Sequence, residues 1–198
     1  MKNALVVTLT LVAAVVVMIA CNQSGSEEAA LLESYRLKGD SISTTAQQTI
    51  FRSLTRAVDT GGLVYAVDFC SNNAMRITDS LSQLAGSTIQ RLSNRNRNPA
   101  NRLAEEGDRV IWEHFNSHTD GNVDDTLIHT NDSYTYYKPI RIAMPACLNC
   151  HGKKDKDLDP LVAEVIAGKY PNDLATGYQM NDLRGIWKIT FRKSPPAK

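Results

Sequence analysis

Five consecutive residues, Cys147-Leu148-Asn149-Cys150-His151, carry the most distinctive chemistry in this chain. Two thiols three positions apart, followed at once by an imidazole, form the attachment sequence of a c-type haem. Each thiol adds to one vinyl group of the porphyrin, and the two residues between them set the reach from vinyl to vinyl. His151 is then held beneath the iron, where a ring nitrogen becomes the proximal ligand. Two other chemistries use similar residues. A redox-active disulfide wants a strand-to-helix junction after the first Cys, whereas this segment runs into Gly152 and a charged loop. A zinc site needs a fourth ligand at a fitting spacing, and neither a second CxxC nor an HxxxH supplies one. The motif predicts one covalently attached haem c.

Attachment of this kind requires export, and the N-terminus predicts it. Met1-Lys2-Asn3 precedes an uncharged apolar run over residues 4–20, the arrangement of a secretory signal, which is set aside from the fold. Met18-Ile19-Ala20-Cys21 resembles a bacterial lipoprotein signal with Cys21 as the acylated residue, although Met18 and Ile19 depart from the usual Leu and small residue. The alternative is an uncleaved anchor, for which the run is at the short end of the roughly 20 residues that span a bilayer. Either reading puts the rest of the chain outside the cytoplasm. The expectation is a periplasmic lipoprotein held at the outer membrane, since Asn22 is not the Asp that commonly retains lipoproteins at the inner one.

The chain has 198 residues, enough for one domain with a real core. Its 22 basic and 21 acidic residues become 21 of each once Lys2 leaves with the signal, so bulk charge makes no case for nucleic acid. With Cys21 assigned to lipid and Cys147 and Cys150 to haem, Cys70 is left alone. A lone Cys in an oxidising compartment needs a reason.

The elements that position these residues follow in order. Residues 22–30 are small and polar and predict a flexible tether; with the start of the first helix it occupies 21–40. Ile42, Ala46, Ile50, Leu54 and Val58 recur every four residues, one apolar face of a long helix that Gly61-Gly62 ends. A second helix is predicted over 63–84, with Leu63, Ala66, Val67, Cys70, Ala74, Ile77, Leu81 and Leu84 on its buried face. Cys70 there is either a small buried hydrophobe or an iron ligand. Residues 87–92 suit a short strand, and 94–99 a loop. Arg91, Arg95, Arg97 and Arg102 form the basic cluster. A solvated loop is its plain reading; the sharper one has Arg95 or Arg97 meet a haem propionate, where a planar fork suits a carboxylate.

Residues 103–115 predict a helix with Val110, Ile111, Trp112 and Phe115 inward, 118–122 a turn, and 126–129 and 134–144 strands, with Pro139 at an edge or bulge. Asp159-Pro160 opens a short helix that Gly168 closes. The end reads as a hairpin, Gly177-Tyr178 against residues 186–191, with Trp187, Ile189 and Phe191 on one face and Lys188 and Thr190 on the other; 194–198 is a tail. Long N-terminal helices, then short strands with helical insertions, make an α+β fold with an antiparallel sheet.

This order of features resembles the bacterial extracytoplasmic haem-c sensor domain with a PAS-like fold, long catalogued as a domain of unknown function. The similarity runs over about residues 46–191. It rests on Ala66-Val67-Asp68-Phe69-Cys70, Arg97-Asn98-Pro99-Ala100-Asn101 and the Pro145 to Gly152 segment. It also rests on Tyr170-Pro171, Asp173, Ala175, Gly177-Tyr178 and Asp182-Leu183-Arg184-Gly185. The resemblance implies a single PAS-like haem domain over 41–193 and Cys70 as the distal iron ligand opposite His151. Met144, Met180, His114, His118 and His129 are the rivals for that position.

Iron held by His and Cys has no open site, which argues against an enzyme. A redox or small-gas sensor is the first expectation, in which reduction or an NO-like gas displaces Cys70; a monohaem periplasmic electron carrier is the second. A sensor without an output module needs a protein partner, redox or signalling.

Overall fold

A computed structural model describes the backbone of residues 2–118 and 125–193 and, within these, the side chains from Gly25 onward. The signal and acylation readings rest on side chains of residues 1–21 and lie outside the described residues, as do most of the 118–122 turn and the tail 194–198.

Helix α1 (Lys2–Ala85) comprises both predicted helices, joined across a kink at Gly61-Gly62, and it also runs through the predicted tether, where residues 25–30 are helical and exposed. Gly61 and Gly62 both have non-helical dihedrals, so the first helical run ends there as predicted and the second begins at once. Gly62 sits at φ 74°, ψ −172°, a conformation essentially confined to glycine, and the backbone resumes helical geometry after it. The apolar periodicity is as expected on both sides of the bend, except that Leu84, in the last turn, is 85% exposed.

Strands β1 (Thr88–Leu92), β2 (Thr126–His129), β3 (Ser133–Arg141) and β4 (Leu183–Arg192) form one antiparallel sheet in the order β1-β4-β3-β2. The fold is α+β, as the sequence predicts. Gly177-Tyr178 is not a strand; β4 pairs with β1 and β3 instead. Pro139 pairs opposite Ile186 beyond the end of β2, one residue before the register shift at Ile140/Arg141, so among the described residues β3 has no second neighbour there.

The alternation on β4 is as predicted, but both of its faces are covered. Trp187, Ile189 and Phe191 join Tyr134, Tyr136 and Ala46 beneath α1. The close approach of α1 depends on small residues: Ala46 is buried, and a Cβ on Gly39 would lie 2.3 Å from the Tyr136 ring. On the other face, α2 (Glu106–Ser117) packs Trp112 and Phe115 against Leu92, Tyr137, Leu183 and Ile186. Asp108, Trp112 and Phe115 make the inward line of α2, so Val110 is exposed, contrary to expectation. Lys188 is buried there because Asp108 and Glu105 meet its Nζ at 2.9 and 2.7 Å.

Past β3, a 3-10 turn (Pro145–Cys147) leads into the single-turn helix α3 (Leu148–His151). Helix α4 (Pro160–Lys169) opens as predicted, with the Asp159 side chain accepting from the Leu161 amide. It packs Leu158, Val162 and Ile166 against Val67 of α1.

Candidate functional site

The pentapeptide lies on α3 and the turn before it, which places Cys147, Cys150 and His151 within one and a half helical turns. Cys147 packs beside Ile142, Ala175 and Tyr178, and Cys150 beside Val67, Val162 and Ile166. The two thiols therefore reach into two different apolar clusters on either side of α3.

His151 is oriented through its Nδ1, which lies 2.8 Å from the Ala175 carbonyl oxygen. A carbonyl only accepts, so Nδ1 carries the proton and Nε2 keeps a bare lone pair, the tautomer a metal ligand needs. Burial, and then the nearby Arg184 and Arg97 charges, hold the imidazole well below its usual pKa and hence neutral. Tyr178 stands edge-on to the ring at 6.2 Å, and its amide donates to the His151 carbonyl.

The Ala175 carbonyl is fixed in turn by Arg97 and Asp173. Arg97 Nε and Nη2 both lie 3.1 Å from the Asp173 carboxylate, and Nη2 also donates to the carbonyls of Cys150 (2.6 Å) and Ala175 (3.3 Å). Asp173 Oδ1 accepts from the Ala175 amide. Arg95 donates to the carbonyls of Leu174 and Thr176 and stacks on Tyr178 at 4.1 Å. The structure thus places both arginines predicted as propionate partners on the backbone of 173–176 or on the motif itself, as braces of the loop that aims His151.

Cys70 comes to the same place from α1. It is half-buried, and it interacts electrostatically with Cys150, Arg91 and Arg97. Burial and the Cys150 thiol push its pKa up, against the opposing pull of the two arginines. None of the rivals shares this cluster. Met144 and Met180 are 37% and 40% exposed. His129 is exposed on β2, and His114 and His118 sit at the end of α2 on the other face of the sheet. Cys70, Cys147 and Cys150 are unpaired. Among the described residues no three His, Cys, Asp or Glu side chains converge as for a bare metal ion.

The donor set fits a haem c: two thiols on one turn, an imidazole with Nε2 bare, and a further thiol in the same cluster. Sequence reasoning gave no role to Asp173, Ala175, Tyr178 or Arg184, although all four stand in the motifs that carried the resemblance.

The chain matches the Tll0287-like family over residues 18–192. It belongs to that family. The solved structure of Tll0287, described as a cyanobacterial heme-protein, is similar at a TM-score of 0.59 and 20% identity, covering 78% of this chain and 94% of that one. No curated protein is similar enough to count as a match. The Tll0287-like assignment bears out the family resemblance, and the structural likeness independently supports the α+β architecture.

Proposed function

We propose that this Tll0287-like protein binds one haem c through Cys147 and Cys150, with His151 and Cys70 as axial ligands, and acts outside the cytoplasm as a redox or small-gas sensor. The observation that supports the reading is the commitment of His151 Nδ1 to Ala175, which leaves Nε2 free at the end of a motif whose Cys150 packs against Val67, about one helical turn before Cys70. The description of Tll0287 as a heme-protein supports it.

A haem held here supplies a one-electron couple and an axial position that a thiolate can occupy or leave. Cys70 is the residue suited to leave. Its thiol is raised by burial, so once free it is neutral at pH 7, and its release takes up one proton. Acid therefore favours release. His151, by contrast, is fixed through Ala175 and the Arg97–Asp173 pair. Cys70 also lies on the part of α1 that follows the Gly61-Gly62 bend, where helical geometry is interrupted. Movement of this segment is the output in our reading, read by a redox or signalling partner while Cys21 holds the chain to the membrane by lipid.

The test is alkylation of the exported, haem-loaded protein, with the modified cysteine identified by mass spectrometry. Cys147 and Cys150 should carry haem. Cys70 should be blocked in the oxidised protein and labelled after reduction. Protection in both states would replace the sensor with an electron carrier, and equal labelling in both would remove Cys70 as a ligand.

A further inference from the structure

Two arginines near the site have no anionic partner among the described residues, although Arg184 Nη1 also donates to the Arg95 carbonyl at 3.4 Å. Among the described residues, the buried side-chain atoms that make no hydrogen bond include the Nε of Arg91 and the Nε of Arg184. Neither arginine forms an ion pair among the described residues. A buried guanidinium without an anion is costly, so chains seldom keep one unless something supplies the charge.

Both are held in place by flat aromatic surfaces. Arg184 lies 5.5 Å from the Tyr178 ring that flanks His151, and its Nη1 reaches Ser93 Oγ at 3.2 Å. Arg91 lies 5.9 Å from the Trp187 ring and interacts electrostatically with Cys70 and Tyr170. Arg184 therefore stands beside the ring that flanks His151, and Arg91 faces the part of α1 that carries Cys70, sharing a cavity with Met75 and Thr78. Burial pushes both guanidinium pKa values down, that of Arg184 to about 10.

The local charge count is informative. Arg91, Arg95, Arg97 and Arg184 bring four positive charges, and Asp173 brings one negative charge that its two-pronged contact with Arg97 consumes. Asp79 shares with Arg91 a cavity of about 620 Å³ between α1 and β1, but it is exposed and does not pair with it. Three positive charges are left over; Arg95 spends its donors on the Leu174 and Thr176 carbonyls, so Arg91 and Arg184 are the two whose buried Nε has no acceptor. A haem carries two propionates.

Resting on the haem reading above, we infer that Arg91 and Arg184 are the partners of the two haem propionates, each offering its unpaired Nε and an adjacent Nη to one carboxylate. The fork geometry suits a carboxylate in two-pronged contact. Arg95 and Arg97 are then loop braces rather than propionate ligands.

The experiment uses the full haem-loaded protein, with haem carboxyl carbons labelled by feeding the host 5-aminolaevulinic acid enriched with carbon-13 at its carboxyl. In the reduced protein, both propionate resonances should titrate below about 4, the ordinary carboxylate range. Arg91→Gln and Arg184→Gln should each raise a different propionate by about one to three pKa units, while exposed Arg192→Gln raises neither. If a Gln variant does not hold haem, the wild-type titration decides alone. Two wild-type propionates titrating at or above the ordinary range would overturn the assignment. So would a change in the thiolate spectrum of Arg91→Gln with both propionates unmoved, because Arg91 would then serve Cys70 instead. Absence of covalent haem from the wild-type protein would instead remove the haem reading itself.

Discussion

Replacing Asp173 with Asn tests whether His151 is aimed by a buried brace. The Arg97 and Asp173 side chains are only 13% and 5% exposed, and the carboxylate contacts both Nε and Nη2 at 3.1 Å. Asp173→Asn keeps the shape and an oxygen for the Ala175 amide but strands the guanidinium, a loss of about 3 kcal/mol at the lower end for a broken buried pair. In a chain of this size, each kcal/mol moves the melting temperature by about 2–4 °C, so a fall of about 6–12 °C is expected. Thermal unfolding of the haem-loaded protein at pH 7, followed by circular dichroism, reads it. The exposed Lys169–Asp68 pair is the control: its partners are 43% and 46% exposed, and Lys169→Ala should cost no more than about 1 kcal/mol. A loss in Asp173→Asn no larger than in Lys169→Ala would refute the brace.

Two further perturbations test the frame that carries the site. Gly39→Ala drives a Cβ into the Tyr136 ring beneath α1 and should destabilise by about 1–3 kcal/mol in urea unfolding, whereas Gly107→Ala, with open space at its Cβ, should not. Lys188→Met leaves Asp108 with only the Tyr137 hydroxyl at 2.8 Å and should cost about 3–5 kcal/mol. Its two carboxylate partners outweigh burial and raise the Lys188 pKa above its free value, so its contribution is complete below about pH 10.4 and fades as pH rises through the folded value. Urea titrations at pH 7 and pH 11 should show the gap between wild type and Lys188→Met narrowing at the higher pH.

The attachment residues were legible because their chemistry is local: CxxCH is read from five adjacent letters. The helical periods around Ile50 and Val67 and the strands at 88–92 and 126–129 were legible for a similar reason, since one face of each repeats along the chain. What the sequence hid depends on contacts between distant segments. The hairpin expected at the C-terminus failed because pairing of β4 with β1 and β3 is a choice made across the whole sheet. The basic cluster at 91–102 showed that arginines gather near the motif, but not which ones find carbonyls and which stay unpaired. Arg184 was beyond that reading, since it joins the cluster from a segment more than eighty residues away.

The measurement that bears most directly on the account is the absorption spectrum of residues 22–198, exported with a haem-maturation system, in the ferric and then the ferrous state, for wild type and Cys70→Ala. The account predicts covalent haem in both proteins, a low-spin thiolate-type ferric spectrum in the wild type alone, and loss of that signature on reduction. A six-coordinate spectrum that persists in both redox states and is unchanged by Cys70→Ala would contradict it.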